Sequence, residues 1–275
     1  MPRPPRPDLR SPGSRAVPRA ATAPRHGLAR VLSKAGIASR TQAAALVAAG
    51  RVTLNGHVEQ DPERRVDATR DRITLDGAAI DARERVYLLL NKPRGLVTTA
   101  ADERGRDTVY TRLAHAGLPW LAPVGRLDKA SEGLLLFSND TAWAAHVTAP
   151  ASHLEKVYHV QVEGLPDEAL LAALRADVVE GGERLAFKAV RELRRGARNA
   201  WLEIHLDQGR NRHIRRALGV LGVGVQRLVR IAIGPLALGT LPRGAWRHLT
   251  PAEVAQLAPA AVSFRPPRPG AGPPR

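Results

Sequence analysis

The chain has 275 residues, with 42 Lys+Arg against 26 Asp+Glu, a formal charge of +16 and no Cys. That length gives room for two domains. The missing Cys excludes a disulfide framework, a thiolate metal site and a Cys nucleophile, and the longest apolar run, 43–49, falls far short of the roughly 18 residues of a membrane span. Aromatic residues make up only 4%, so a core must be built mainly from Val, Leu, Ile and Ala.

The charge is uneven along the chain. Five of the basic residues are Lys and the other 37 are Arg, the side chain better suited to bidentate phosphate contacts. Residues 1–25 hold six Arg, seven Pro and one acid, and residues 265–275 hold three Arg, five Pro and no acid. Both are expected to be disordered basic tails, and they supply half of the net charge. The first is Arg-rich like an organelle transit peptide, but its prolines would break the amphipathic helix of such a signal, and it has no apolar secretory core. The remaining +8 on 239 residues still favours a nucleic-acid partner over general basicity from Arg-rich codon bias.

Residues 26–80 read as a small compact unit. Leu28, Val31, Leu32 and Ala35 fall at helical spacing, and Gly36 ends that turn. Ser39 is placed to cap a second helix over 40–49, with Leu46 and Val47 inward and Gly50 just past its end. Val52 to Leu54, Asn55-Gly56 and His57-Val58 predict strand, tight turn and strand, and 72–75 predicts a further strand before Asp76-Gly77. Arg30, Lys34, Arg40 and Arg51 would share one rim of this unit; an ordinary solvated face is the alternative reading. The stretch LARVLSKAGIASRTQAAALVAAGRVTLNG resembles the αL RNA-binding module also found in ribosomal protein S-four. In that family two helices and a loop grip structured RNA through its phosphates.

A second unit begins near Val86. Strands are predicted over 86–90, 133–137, 157–162 and 201–206, the last two alternating at the period of a half-buried strand. A Pro/Gly break separates 86–90 from 96–99. A short helix is expected over 142–147, and another over 211–221 carrying Arg212, Arg215 and Arg216. Strands dominate and neighbours are often antiparallel, so the expected class is α+β around a mixed sheet.

The stretch most informative for chemistry is GRLDKASEGLLL, residues 125–136. Asp128 follows Arg126 in a Gly-bounded loop that opens into a buried strand, so it can be presented at a cleft edge. An ionised carboxylate there serves as nucleophile, general base, metal ligand or cap, and the cap is the commonest of these. A glycosidase-like pair of Asp128 with Glu132 has no other support. His205, Asp207 and His213 are metal ligands only on paper, and no phosphate-cradling Gly-rich loop is present.

Four ordered segments decide among these. GRLDKASEGLLLFSND, LNKPRGLVTT (90–99), EKVYHVQVEG (155–164) and QGRNRHIRRALGVLG (208–222) resemble the pseudouridine synthases, most closely the RsuA/RluB-type branch that modifies ribosomal RNA. The likeness continues through RLVRIAIGPLALGTLPRGAWRHLTPAEV and, with the αL module, spans about 26–260. It implies domains at 26–80 (S-four-like) and 84–260 (catalytic, with a mixed, largely antiparallel sheet).

Residue by residue, it places the family's nucleophile on Asp128, the aromatic that packs on the target base on Tyr158, and the basic partner of the carboxylate on Arg215. Lys92, Arg126, Arg210 and Arg212 join Arg30, Lys34, Arg40 and Arg51 as RNA-contacting cations, with Lys92 and Arg126 also implied to hold the loop. Ser131 stands where Thr is common, His213 where Gln or Glu is usual, and Ala217 where Met is usual.

The implied reaction breaks the glycosidic bond of a uridine, turns the uracil and rejoins it through carbon. Several routes stay open for Asp128: attack on the anomeric carbon, attack on the base, or removal of a sugar proton. The target base must flip out of its helix or loop. No cofactor or metal is implied. The expected partner is ribosomal RNA (23S favoured over 16S) or a pre-ribosomal particle, and the expected protein is a cytoplasmic monomer off the membrane. The rival reading is a non-catalytic RNA-binding or ribosome-assembly factor.

Overall fold

The computed structural model describes residues 25–68, 70–80, 84–100, 102–114 and 116–259. Apart from Arg25, the expected tails lie outside the described residues.

In the N-terminal unit, helices Leu28–Lys34 and Arg40–Ala48 pack on a four-stranded antiparallel sheet. Its order is His57–Val58, Val52–Leu54, Ile73–Leu75, Ala78–Ala79. The Ser39 side chain accepts from Gln42 N while the Gln42 side chain accepts from Ser39 N, so both first-turn donors are satisfied. Both hairpin turns have two residues in the left-handed region: Asn55 (φ 53°) with Gly56 (φ 90°), and Asp76 (φ 50°) with Gly77 (φ 80°). That is the turn geometry whose twist matches paired strands. Leu28, Leu32, Ala43, Val47, Val52 and Val66 form the core. This unit meets the next one where the Gly36 carbonyl accepts from Trp120 N at 3.1 Å.

The C-terminal unit is built on a nine-stranded mixed sheet. Seven strands run in the order Ala189–Arg195, Asn199–Leu206, Lys156–Glu163, Val225–Ile233, Glu132–Ser138, Tyr87–Lys92, Trp246–His248. Leu236–Ala237 pairs with Val225–Ile233, and Ala122–Val124 with Glu132–Ser138. Within this sheet only Val225–Ile233 beside Glu132–Ser138 is parallel. The class is α+β, as expected.

The run Leu134 to Phe137 is apolar throughout because its strand is buried on both faces. Leu135 and Phe137 join one core with Tyr158, Val160, Leu202 and Ile214. Leu134 and Leu136 join another with Trp143, Val147, Val254 and Leu257.

The elements differ from the sequence reading in a few places. The strand expected at 86–90 continues through Lys92, so the chain breaks at Pro93. Residues 96–99, for which no element was predicted, contribute a single bridge, Val97 to Thr108. The helix expected at 211–221 is His213–Val220, since Arg212 at its N-cap is left-handed (φ 50°). Strands Ala189–Arg195 and Val225–Ile233 and helices Glu168–Arg175 and Pro251–Leu257 had no counterpart in that reading. Among the described residues no helix is long and apolar enough to cross a membrane.

Candidate active site

The loop 125–131 is held by its backbone from several sides. Ser131 N donates to Asp128 O at 3.0 Å, closing a turn, and Gly95 N donates to Lys129 O at 2.8 Å. Thr98 Oγ1 donates to Leu127 O at 2.7 Å and accepts from Leu127 N at 3.3 Å. Lys92 Nζ donates to Ser131 O at 2.7 Å, Asp128 O at 3.0 Å and Pro93 O at 3.3 Å. Arg215 Nη2 reaches Ala130 O at 3.2 Å. These bonds fix the main chain and leave the Asp128 carboxylate to face a cleft of about 490 Å³. Among the described residues that carboxylate has no hydrogen-bond partner and no ion pair within 4.0 Å.

Tyr158 lines the same cleft from strand Lys156–Glu163 and is 8% exposed. It belongs to the inward set with Val160 and Val162, so the alternation read from the sequence delivers an aromatic ring to the cleft floor.

Two expectations need correction. Lys92 is not an RNA-contacting cation: it is 0% exposed, with its ammonium spent on three carbonyls of its own protein. Burial pushes its pKa down to about 8, against the opposing pull of Asp128 and Glu132. Arg215 makes no direct pair with Asp128. Its guanidinium bonds Ala130 O and Val225 O, and Nε is buried without a partner. Burial lowers the Arg215 pKa, the nearby Arg212 lowers it further, and Asp128 opposes both. Arg215 therefore acts on Asp128 through the field and through the backbone of its loop.

The mouth of the cleft is basic. Arg126, Arg210 and Arg212 are exposed and line it. Arg210 also pairs with Glu183 at 2.7 Å, while Arg126 and Arg212 have no ion pair among the described residues. In the N-terminal unit Arg30, Lys34, Arg40 and Arg51 are all exposed. Lys34 lies 3.3 Å from His26 Nε2, Arg40 is 4.0 Å from Glu63, and Arg51 is tied to Asp76 through both nitrogens of its fork.

Of the other candidates, Glu132 and His205 lie outside the cleft lining, while Asp207 and His213 are part of it. Glu132 is bound by Arg227 through two 3.0 Å bonds and so does not pair with Asp128. His205 is held by Glu155 and Glu203. His213 is buried against Phe187, 5.2 Å between ring centroids.

Sequence reasoning missed two cations of the cleft, Lys156 and Arg230. Lys156 Nζ donates to Asp207 O at 3.2 Å, and burial together with Arg230 lowers its pKa. Arg230 is 6% exposed. A signal existed for it: in VQRLVRIAI, Arg230 has the parity of the inward-facing Leu228.

With this geometry in place, the chain can be set beside known proteins. The RNA pseudouridylate synthase family matches residues 86–219, and the S4 domain family matches residues 27–73. An uncharacterized RNA pseudouridine synthase of Aquifex aeolicus is 37% identical over 228 residues, covering 82% of this chain and 91% of that protein. The ribosomal large subunit pseudouridine synthase B of Escherichia coli (strain K12) is 37% identical over 239 residues, covering 84% and 81%. A crystal structure of a pseudouridylate synthase superposes with a TM-score of 0.57 at 28% identity, covering 84% of this chain and 99% of that one. The chain belongs to the RNA pseudouridine synthases, with an S4 domain ahead of the synthase domain.

Proposed function

We propose that this pseudouridine synthase isomerises specific uridines of ribosomal RNA, in the large-subunit 23S rRNA or a pre-ribosomal particle containing it. The observation that carries the mechanistic part is the loop 125–131: its main chain is bonded on every side while the Asp128 carboxylate is left free over a cleft shared with Tyr158. The choice of large-subunit RNA is supported by the names of the Escherichia coli and Haemophilus influenzae relatives, both large subunit pseudouridine synthase B.

The target uridine leaves its stack and enters the cleft, at a cost of about a few kcal/mol. Phosphate contacts from Arg126, Arg210, Arg212 and the S4 unit offset that cost. Asp128 initiates cleavage of the bond between the anomeric carbon and N1, by attack on that carbon or by removal of a sugar proton. The Tyr158 ring packs on the uracil while it turns, and its hydroxyl relays the proton that C5 loses once the new carbon–carbon bond is made, accepting that proton as its own passes to solvent. N1 gains a proton, so atoms and electrons balance with no oxidant and no hydrolysis.

The test is to map rRNA pseudouridines in cells carrying the gene, a deletion, and the deletion complemented with Asp128→Asn. The expected result is loss of 23S sites in the deletion without rescue by the variant. Survival of every site would favour a non-catalytic binding role, and loss confined to 16S would move the substrate to the small subunit.

A further inference from the structure

The cleft contains a cation that the mechanism above leaves unused. Arg230 is only 6% exposed and yet forms no ion pair among the described residues. Its Nε donates to Leu134 O at 2.8 Å, which fixes the plane of the guanidinium. Nη2 is buried with no hydrogen-bond partner, and Nη1 makes no hydrogen bond among the described residues either. A guanidinium taken out of water without a counter-charge is strongly unfavourable unless something supplies acceptors. Its charged neighbours include Lys92 and Lys156, and both have their pKa lowered by its presence.

Its position is set by the sheet. Arg230 is the register partner of Tyr158 on the neighbouring antiparallel strand, and the register shifts between Val157 and Tyr158. Such a bulge re-aims side chains next to a site. Paired residues place their Cβ atoms about 4.5–5.5 Å apart on one face, so a base packed on Tyr158 lies within reach of the guanidinium. On its other side Arg230 pairs with Gly133, where a Cβ would stand 2.2 Å from Arg230 O. Only a glycine lets the strand that follows Asp128 come this close. The cations at the cleft mouth, Arg126, Arg210 and Arg212, are exposed and suit phosphates. Arg230 is at the floor, where the base goes and the backbone does not.

We propose that Arg230 is a catalytic residue that donates an Nη–H to a carbonyl oxygen of the flipped uracil and holds the negative charge formed when the glycosidic bond breaks. The bond pair leaves with N1 and spreads onto the ring carbonyls, where Arg230 meets it. The pair that forms the new bond then comes from C5, N1 takes up a proton and the charge is discharged. Donors fixed in advance in a water-poor site stabilise developing charge in this way. The inference rests on the reading that the uracil enters beside Tyr158.

The experiment compares Arg230→Met and Arg230→Gln with the unchanged protein in single-turnover reactions at saturating RNA. One substrate carries uridine at the target site and the other 5-fluorouridine, whose electron-withdrawing fluorine makes the departing base a better leaving group. Arg230→Met is expected to slow consumption of uridine by about 10²–10³-fold, to slow 5-fluorouridine much less, and to leave RNA affinity unchanged. Arg230→Gln, which keeps a donor but not the charge, is expected to fall between the two.

Equal losses on both substrates, or no loss, would overturn the assignment. So would weaker RNA binding with a flatter salt slope and a normal saturated rate, since that would make Arg230 a phosphate contact. Asp128→Asn is run alongside: if it is active, the reading of the cleft itself fails; if it is inactive while both Arg230 variants are normal, only the role of Arg230 fails. Thermal unfolding of each variant confirms that a native fold is compared.

Discussion

Two sets of cations divide the molecule. In the S4 unit Arg30, Lys34, Arg40 and Arg51 stand in water on short helices and a strand edge. In the catalytic unit Lys92 and Arg230 are buried, and Arg215 is half-buried against the active loop. A charge in water is screened within about 8–10 Å at ordinary ionic strength and serves mainly to attract phosphate. A charge held in a low dielectric acts strongly on its neighbours, and its position is fixed by the groups that compensate it. Affinity is therefore expected to rest on the exposed cations, those of the S4 unit together with Arg126, Arg210 and Arg212 at the cleft mouth, and chemistry on the buried ones. The division is open to direct test, because variants in each set should move different observables.

The largest effect should come from Gly133, where the buried set is assembled. Gly133 has φ +98° and a Cβ there would lie 2.2 Å from a backbone oxygen of the partner strand. Gly133→Ala forces the only parallel strand pair of the sheet apart at Arg230. The expected destabilisation is about 3 kcal/mol or more, from overpacking with no flexible side chain to yield plus left-handed backbone strain. Chemical denaturation would measure it. Loss of RNA binding by the S4 unit at a denaturant concentration that leaves that unit folded would contradict the separation of the two regions.

Lys92→Met sharpens the comparison at one residue. All three ammonium donors are spent on Pro93, Asp128 and Ser131 carbonyls, so the variant frees the turn that presents Asp128. Single-turnover rate should fall by about 10²-fold, the scale of a small misplacement of a reacting group, with RNA affinity unchanged. The pH dependence carries a second signature. Burial holds the Lys92 pKa near 8, below its ordinary value. Above about pH 8 the folded protein loses this proton while the unfolded chain keeps it up to about 10.5. The unfolded state then binds more protons, so the Lys92 contribution to stability rises with pH across that window. Activity should move the other way, since the neutral amine has one donor fewer than the clamp needs. A rate limb near pH 8 that persists in Lys92→Met would assign the titration to another group.

The sequence shows local features well and the buried cations poorly. Ser39 with Gln42, Asn55-Gly56 and Asp76-Gly77 each decide their own geometry within four residues, so helix start and hairpins could be read directly. The alternation of 157–162 and 201–206 likewise named the faces of two central strands. The place of Asp128 at a cleft edge was legible because its loop is continuous in sequence with the strand behind it, whereas its role as nucleophile was implied only by the resemblance of GRLDKASEGLLLFSND. Lys92 holds the loop as implied, but its assignment to RNA failed because its burial depends on carbonyls 36 and 39 residues downstream. Arg215 was expected on Asp128 itself, but Ala130 O, 85 residues away, and Val225 O, past the end of its helix, take its donors. Strand Ala189–Arg195 was unseen since four of its seven residues are charged, the composition of a sheet edge.

The exposed set should respond in affinity alone. Replacing Arg30, Lys34 and Arg40 together with Ala is expected to flatten the slope of log affinity against log salt by roughly 2–2.7, at about 0.7–0.9 for each phosphate that is no longer neutralised. The saturated single-turnover rate should be unchanged. A fall in that rate would mean that the S4 unit helps to shape the active cleft, and the two regions would no longer be separable.

The smallest effect is expected at Arg51, and it separates exposure from availability. Arg51 is as exposed as its neighbours on the rim, but both arms of its fork are engaged by Asp76 across the base of a hairpin. The pair also lowers the Asp76 pKa through that hydrogen bond, so the carboxylate stays ionised and continues to compensate the guanidinium through the neutral range. Arg51→Ala should therefore change the salt slope less than Lys34→Ala does. Asp76→Ala removes the competitor and leaves the cation in place, so it should steepen the slope by about 0.7–0.9 and tighten RNA binding at low salt. Equal slopes for the Arg51 and Lys34 variants would show that RNA displaces Asp76 on binding, and that an intramolecular pair of this kind is no barrier to a phosphate.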